Sequence, residues 1–310
     1  MSDPTVSVII PTHNRRALLE QCLETIYRQT YTDWEIVIVD DASEDDTAEW
    51  LAANAEGRFR FVTLEKNSGS TVTRNRGLEM ARGEYCLFFD DDDLLPEDAL
   101  SNHIAAIGDR PDVIATLGTL FVFNDDGPCA TVRPAGALTY HDNIWRDIVF
   151  WWGFMVGASL FRTKVLKEIG GFDETLFFYG DDIDLWLRIG HLGPVAMMPE
   201  VVVKQRIHDQ TRPQDFYKVL AEISDSRTEL WDEARVAVAR KIIAARVALD
   251  QVKLNRGSLG NVVRIPVMLA KALRCPYLLT SPLSRGEIVR TLRRDVPFAW
   301  IKPLVRPFRR

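Results

Sequence analysis

Four consecutive aspartates, at positions 90–93, form the strongest chemical signal in the sequence. Carboxylates placed side by side repel one another unless a cation neutralises them. Mg²⁺ and Mn²⁺ prefer hard oxygen ligands and commonly bridge a protein carboxylate to the phosphates of a substrate. The run therefore indicates a divalent-metal site for phosphate chemistry, and a solvated acidic turn is the alternative.

A second acidic cluster consists of Asp181, Asp182 and Asp184. Residues 184–189 have the pattern of a helix start, so an acid in this cluster could serve only as a helix cap. A carboxylate held beside an acceptor hydroxyl would instead act as a general base. Both interpretations are open from the residues alone.

Further polar residues suit the recognition of a nucleotide. Asp40 and Asp41 follow a strand-like run, where they either cap a turn or accept hydrogen bonds from a base or ribose. Arg74, with Asn67 nearby, either lies on a helix surface or neutralises a diphosphate. His208 follows a valine-rich run, and a lone histidine is more often structural than a ligand.

The elements that must position these residues alternate between strand and helix patterns. Apolar runs predict strands at 6–10, 35–39, 59–64 and 85–89, and helices are predicted near 18–26, 47–55 and 69–81 and from Pro96. This alternation predicts an α/β fold with a doubly wound, mostly parallel sheet. Because strand carboxyl ends form the ligand crevice of such sheets, the polar clusters at 11–15, 40–46 and 90–93 should converge.

The charged residues are unevenly distributed: residues 1–252 are acidic overall, and residues 253–310 are basic. The 310 residues carry a net charge of −6, yet residues 253–310 hold 13 basic and two acidic side chains. Apolar residues interleaved with these cations favour an anionic membrane surface as partner, with a packing arm or oligomer contact as the alternative. No nucleic-acid partner is expected. No signal peptide or membrane span is evident, so we expect a cytoplasmic protein, peripheral on the inner face of the membrane.

Residues 5–210 together resemble the family 2 glycosyltransferases, which have the GT-A fold. The resemblance rests on the order and spacing of several short segments. These are SVIIPTHNR at 7–15, VDDAS at 39–43, NSG at 67–69, RNRG at 74–77, FDDDD at 89–93, GGFDE at 170–174 and DDID at 181–184.

The resemblance implies a binding role for each matched position. The nucleotide-sugar would contact Pro11, Thr12, Asn14, Arg15, Asp40, Asp41, Asn67, Arg74, Asp90 and Asp91. Asp90 and Asp92 are similar to the DxD motif that binds Mn²⁺ or Mg²⁺ in this family, with His208 as a further ligand.

The resemblance also implies the catalytic residues. Asp181 and Asp182 are similar to the family's Glu-Asp pair, whose second acid is the base; the first acid is the shorter Asp here. Trp151, Trp152 and Asp184 are weaker candidates for the acceptor site, and the tryptophans suit a core equally well.

The implied activity is inverting transfer of a sugar from a nucleotide diphosphate, with UDP expected, to a hydroxyl of a glycan or lipid-linked saccharide in cell-surface polysaccharide synthesis. Residues 1–210 would form the catalytic domain and 211–310 a helical, basic, amphipathic region. A nucleotidyltransferase is disfavoured because PTHN at 11–14 replaces a glycine-rich phosphate loop. A non-catalytic sugar-binding protein is disfavoured by the intact Asp92 and Asp182.

Overall fold

The computed structural model describes residues 3–55, 59–150, 154–176 and 180–207, with isolated positions between 237 and 271. The chain divides into two compact units, one of residues 1–144 and 153–212, the other of residues 145–152 and 213–310. The predicted helical and basic region at 211–310 lies almost wholly outside the described residues. All site residues whose contacts are described below belong to the first unit, whereas the candidates Trp151 and Trp152 belong to the second.

Strands and helices alternate from residue 6 to residue 124 and follow a less regular order after that. The strands are β1 (Val6–Thr12), β2 (Trp34–Asp40), β3 (Arg60–Thr63), β4 (Tyr85–Phe88), β5 (Ala115–Asn124), β6 (Gly127–Val132), β7 (Thr139–His141), β8 (Ser159–Arg162) and β9 (Val195–Arg206). The helices are α1 (Arg16–Tyr27), α2 (Thr47–Asn54), α3 (Ser70–Met80), α4 (Ala99–Ile107), α5 (Trp145–Phe150, in the second unit), α6 (Thr163–Glu168) and α7 (Asp181–Ile189), with a 3₁₀ turn at Val156–Ala158.

The described strands form one mixed sheet in the order β3-β2-β1-β4-β8-β5-β9-β7, with β6 paired to β5. The pairs β3-β2, β2-β1, β1-β4 and β5-β9 are parallel. Strand β8 is antiparallel to both β4 and β5. The predicted α/β fold with a mostly parallel sheet is confirmed, whereas the antiparallel insertion of β8 was not predicted.

Close packing against the sheet fixes the position of α3. All four residues of β4 are buried, as are Ile9 and Ile10 of the adjacent β1. A Cβ atom at Gly77 of α3 would collide with the side chain of Ile9. The helix can therefore lie this close to β1 only with glycine at position 77, which anchors the turn that carries Arg74.

Two predicted helix starts differ from the structure. Helix α4 begins at Ala99, not at Pro96, because residues 96–98 form a preceding turn in which Ala99 N–H donates to the Pro96 carbonyl at 2.9 Å. Helix α7 begins at Asp181 instead of Asp184, so all three acids lie in its first turn. Within the described ranges, no helix combines the length and hydrophobicity that crossing a membrane requires.

Candidate active site

The ends of β1, β2 and β4 bring three polar clusters together, as the strand pattern predicted. Thr12 and Asp40 are register partners at the ends of β1 and β2. The Thr12 hydroxyl donates to Asp91 Oδ2 at 2.7 Å, just beyond β4. The Asn14 N–H donates to Ser43 Oγ at 2.8 Å. Residues 11–15, 40–46 and 90–93 therefore share one edge of the sheet, where Pro11 is partly exposed.

The adjacent acids Asp40 and Asp41 have different partners. Asp40 Oδ1 accepts hydrogen bonds from the backbone N–H and the hydroxyl of Ser43, while its Oδ2 is buried without a partner among the described atoms. Asp41 accepts from the N–H groups of Ser68 and Gly69, at 2.7 and 2.8 Å, and so holds the two residues that precede α3. Asp40 thus retains a buried acceptor for a ligand, whereas both oxygens of Asp41 are occupied.

Side-chain amides hold the loop between β1 and α1. Asn14 adopts a left-handed conformation, with φ of 54°, and its Oδ1 accepts from the N–H groups of Glu44 and Asp45. His13 Nε2 lies 3.0 Å from Asn14 Nδ2 and 3.1 Å from Asn67 Nδ2. Since amide nitrogens only donate, Nε2 is the acceptor and Nδ1 carries the proton. That Nδ1 is buried without a partner among the described residues.

Arg15 neutralises the middle of the acidic run. Its Nη1 lies 3.2 Å from Asp91 Oδ1 and 2.9 Å from Asp92 Oδ2. Burial raises the pKa of Asp91 to about 6, although the hydrogen bond from Thr12 and the charge of Arg15 act in the opposite direction. The Arg15 guanidinium therefore lies on carboxylates at the position where the sequence predicts a cation site.

The last acid of the run is held by β9. Asp93 Oδ1 accepts from the Arg206 N–H at 2.9 Å, and Arg206 Nε donates to the carbonyl of Asp92 at 3.2 Å. Burial and the neighbouring charge of Asp90 raise the pKa of Asp93 to about 9. Sequence reasoning missed Arg206, because no local motif relates a residue at the end of a distant strand to the acidic run.

Arg74 joins the two acidic clusters. Its Nη2 lies 2.8 Å from Asp90 Oδ1, and its Nη1 donates to Asp181 Oδ2. The side chain is only 8% exposed and lies 5.6 Å from the ring centre of Phe172. Burial acts to lower the pKa of Arg74, but the charges of Asp90 and Asp181 outweigh it and raise that pKa. The guanidinium therefore pairs with one carboxylate of each acidic cluster and has little exposure to solvent.

The acid pair at the start of α7 is not a helix cap. The N-cap position is Gly180, and no side chain makes a capping hydrogen bond there. Asp182 Oδ2 instead accepts from the Val156 N–H at 3.2 Å. Burial and repulsion by Asp181 raise the pKa of Asp182 to about 7, despite the nearby charge of Arg74. A carboxylate with a pKa near neutrality and a charged neighbour is suited to exchange protons.

The remaining candidates from the sequence separate into two groups. Asp184 is fully buried and its Oδ2 lies 2.8 Å from Arg188 Nε, so it forms an interior ion pair within α7. This position does not present its carboxylate to an acceptor in solvent. Trp151, Trp152 and His208 lie outside the described residues.

The segment 170–174, which precedes α7 in the chain, packs against Asn75 of α3. Asn75 Oδ1 accepts from the Phe172 N–H at 2.7 Å, and Asn75 Nδ2 donates to the Phe172 carbonyl and to Glu174 Oε1, both at 2.9 Å. Gly171 has φ of 70°, and a Cβ there would collide with Asn75 Oδ1. The separate sequence segments around Asn75 and Gly171 thus form one contact, which connects the chain leading to α7 with the helix that carries Arg74.

The carboxylates of the acidic run at 90–93 are suited to bind a divalent cation together with a phosphate group. No group of three or more Asp, Glu, His or Cys side chains within the described part of the chain forms a ready-made metal cage. Mg²⁺-type sites, however, often use one or two carboxylates and complete their shell with water and substrate phosphate. Asp90 and Asp92 offer hard oxygen donors, with side chains 39% and 13% exposed. The donor chemistry therefore suits Mn²⁺ or Mg²⁺ bound together with a diphosphate.

Comparison with known proteins places these residues in a family. The model of "Glycosyl transferase family 2" matches residues 7–170, which is more than half of the chain. Among curated proteins, TuaG of Bacillus subtilis, described as a teichuronic acid biosynthesis glycosyltransferase, is 34% identical over 149 residues. That alignment covers 47% of this chain and 59% of TuaG, so the chain spans about three fifths of this relative.

Solved structures show the same fold at low sequence identity. Residues 1–349 of S. aureus TarS, in complex with UDP, align with a TM-score of 0.60 and 20% identity, over 94% of this chain and 89% of that one. The mannosyltransferase PcManGT of Pyrobaculum calidifontis, in complex with GDP-Man and Mn²⁺, aligns with a TM-score of 0.55 and 20% identity, over 96% and 88%. The architecture of the chain is therefore the GT-A fold.

Proposed function

The chain belongs to glycosyl transferase family 2, and we propose that it is an inverting glycosyltransferase that moves a sugar from a nucleotide diphosphate to an acceptor hydroxyl. One observation carries this proposal. Arg74 ties Asp90 of the acidic run to Asp181, which is adjacent to Asp182 with its pKa of about 7. A cation-binding group and a candidate base thereby belong to one site, as transfer from a diphosphate donor requires.

The donor nucleotide occupies the edge formed by the ends of β1 and β2. Asp40 Oδ2 is an unpaired buried acceptor and His13 Nδ1 an unpaired buried donor among the described atoms. A buried polar atom left without a partner costs roughly 1–3 kcal/mol, so a ligand that satisfies both atoms gains affinity. An N–H of the base or a ribose hydroxyl suits Asp40. UDP is the expected nucleotide, and the related fold of TarS was solved with UDP.

Asp90 and Asp92 would hold the divalent cation, with His208 as the further ligand expected from the sequence. When bound, Mn²⁺ or Mg²⁺ supplies positive charge that neutralises the diphosphate as it departs. The chain adds its own cations. Arg15 lies 2.9 Å from Asp92 and Arg74 lies 2.8 Å from Asp90, so a guanidinium group accompanies each of the two proposed cation ligands.

Asp182 acts as the general base. The acceptor oxygen attacks the anomeric carbon, the bond from that carbon to the diphosphate oxygen breaks, and Asp182 takes the hydroxyl proton. The Val156 N–H orients the carboxylate through its hydrogen bond to Oδ2. A single displacement from the opposite face inverts the anomeric configuration, so no covalent intermediate with the protein is needed.

The acceptor is a glycan or lipid-linked saccharide in the synthesis of a cell-surface polysaccharide. The name of TuaG, which assigns it to teichuronic acid biosynthesis, supports this setting. We assign catalysis to residues 1–210. The basic, apolar residues of the segment 253–310 would hold the protein on an anionic membrane, where a lipid-linked acceptor resides.

Release of the nucleoside diphosphate tests the proposal. The protein is incubated with UDP-, dTDP- and GDP-sugars, Mn²⁺ and an extract of lipid-linked saccharides, and free nucleotide is measured. We expect release from one nucleotide class, reduced at least 100-fold in Asp182→Asn. Arg76→Gln, an exposed substitution on α3, is the matched control and should retain activity. Absence of release from every donor, or equal release by Asp182→Asn, would contradict the proposal.

A further inference from the structure

Arg15 contacts two carboxylates of the proposed site. These are Asp91, which is expected to contact the nucleotide-sugar, and Asp92, which is proposed to bind the cation. A single nitrogen, Nη1, contacts both Asp91 Oδ1 and Asp92 Oδ2. The two aspartate side chains are 5% and 13% exposed, whereas the Arg15 side chain is 44% exposed. The guanidinium therefore lies on the solvent side of the carboxylates, along the approach that a cation from solution would use.

The backbone of Arg15 is anchored although its side chain is not enclosed. The Arg15 carbonyl accepts from the N–H groups of Leu18 and Leu19, both at 3.0 Å, at the start of α1. The preceding Asn14 is held by its hydrogen bonds to Glu44 and Asp45. Arg15 also lines an open depression of about 450 Å³, together with Asn14, Arg16 and Asp45. Because the Arg15 side chain is partly exposed to solvent, the guanidinium can leave the carboxylates while the main chain stays in place.

A guanidinium and a divalent cation compete for the same oxygen atoms. Both are positive, both need the lone pairs of Asp92, and their mutual repulsion disfavours simultaneous binding. A diphosphate changes this balance, because its oxygens give the displaced arginine a new partner with bidentate geometry. Cation and nucleotide should therefore assist each other's binding.

We propose that Arg15 is an internal counter-ion of the metal site: it occupies Asp91 and Asp92 in the free protein, and it moves to the diphosphate when cation and donor bind. This inference rests on the proposed function. It makes Arg15 a positioning residue that keeps affinity for the cation alone low and couples cation binding to nucleotide binding. Such coupling is reciprocal, so UDP strengthens cation binding by the same factor as the cation strengthens UDP binding.

Titration of the full-length protein with Mn²⁺ alone tests the inference, with the signal of free Mn²⁺ followed by electron paramagnetic resonance. We expect Arg15→Gln to bind Mn²⁺ about tenfold more tightly than the wild type, and Arg15→Lys to lie between them. Arg16→Gln removes the same charge from the next residue, which contacts Glu20 and Asp46 instead, and should match the wild type. Titration in the presence of UDP should show a smaller Mn²⁺–UDP coupling in Arg15→Gln than in the wild type.

The outcomes separate this inference from the proposed function. Equal Mn²⁺ affinity in the wild type and Arg15→Gln, lost in Asp92→Ala, would overturn the role of Arg15 and leave the metal site intact. The same tightening in Arg16→Gln would reduce the effect to general electrostatics and would also overturn it. Absence of Mn²⁺ binding in every variant would overturn both the counter-ion role and the proposed cation site, while nucleotide release from donors tests transfer separately.

Discussion

Arg74 on α3 donates a hydrogen bond from Nη1 to Oδ2 of Asp181, the first residue of α7. The other terminal nitrogen of the same guanidinium binds Asp90. The acidic run after β4 and the acid pair of α7, far apart in sequence, are thereby held by one buried cation. Burial and the charge of Asp181 raise the pKa of Asp182, whereas the charge of Arg74 acts to lower it.

Replacement of the Arg74 guanidinium by an uncharged side chain should destabilise the protein. Removing one partner of a buried ion pair leaves the other charge unpaired, which typically costs 3–5 kcal/mol. Because Asp90 is 39% exposed, we expect Arg74→Met to lower the free energy of unfolding by about 3 kcal/mol, the lower end of that range. Urea denaturation measures the change. Arg76→Met, on the same helix with a side chain 47% exposed, should change stability by less than about 0.5 kcal/mol.

The pH dependence of turnover should report the protonation of Asp182. Burial and the charges of Asp181 and Asp90 raise the pKa of Asp182 to about 7, although Arg74 and the Val156 N–H act in the opposite direction. A base must be deprotonated, so kcat at saturating donor and Mn²⁺ should rise with pH to about 7 and then level off. In Asp181→Asn, the loss of a neighbouring negative charge should move this inflection to lower pH. A flat profile between pH 5.5 and 8 would contradict the assignment of Asp182 as the base.

Asp182 should also lower the stability of the fold at neutral pH. Its folded-state pKa of about 7 exceeds the usual value for an unfolded chain, about 3.9. The folded protein therefore binds the proton more tightly, and the resulting stabilisation, complete below pH 3.9, is lost as pH rises through 7. Asp182→Asn has no such loss. In the presence of a metal chelator, its stability relative to the wild type should increase by roughly 2 kcal/mol between pH 5 and pH 8.

The matched variant Asp181→Asn distinguishes this effect from a general gain on removing an acid. Asp181 is a partner of Arg74, so its replacement removes a favourable contact. We expect Asp181→Asn to be less stable than the wild type at both pH values. If the stability of Asp182→Asn relative to the wild type did not change between pH 5 and pH 8, the raised pKa of Asp182 would be refuted.

Replacement by asparagine should weaken nucleotide binding at Asp40 but lower the stability of the fold at Asp41. Asp40 has an unpaired oxygen, whereas both oxygens of Asp41 accept from the backbone N–H groups of Ser68 and Gly69, just before α3. Asp40→Asn should weaken UDP binding at least tenfold. Asp41→Asn should lower the free energy of unfolding by about 1–2 kcal/mol, because an amide NH₂ replaces one acceptor of a backbone N–H. Isothermal titration measures UDP binding and urea denaturation measures stability. Unchanged UDP affinity in Asp40→Asn, or unchanged stability in Asp41→Asn, would contradict this account.

The strand pattern predicted the edge at which the site forms. The apolar runs at 6–10, 35–39 and 85–89 are each followed by a polar cluster, and we expected these clusters to meet because parallel strands end at the same edge of a sheet. The contact of Thr12 with Asp91 confirms this convergence. Composition and spacing were sufficient here, because each polar cluster directly follows a buried strand.

Contacts between distant segments could not be predicted in the same way. The docking of Arg206 on Asp93, and of the Val156 N–H on Asp182, depends on how β9 and the 3₁₀ turn at Val156–Ala158 pack against the sheet. A backbone N–H has no residue-specific signature. The alternation of strands and helices likewise gave no sign that β8 inserts antiparallel between β4 and β5.

Isothermal titration with UDP in the presence of Mn²⁺ tests the central claim most directly, because it asks whether the acidic run and the β1–β2 edge form one site for a nucleotide and a cation. The account predicts Mn²⁺-dependent binding of UDP to the wild type, loss of at least tenfold in affinity in Asp92→Ala, and unchanged affinity within about threefold in Asp182→Asn, since proton removal is not needed for binding. GDP and dTDP are titrated in parallel to identify the nucleotide. Absence of Mn²⁺-dependent binding for all three nucleotides, or binding that Asp92→Ala leaves unchanged, would contradict the account.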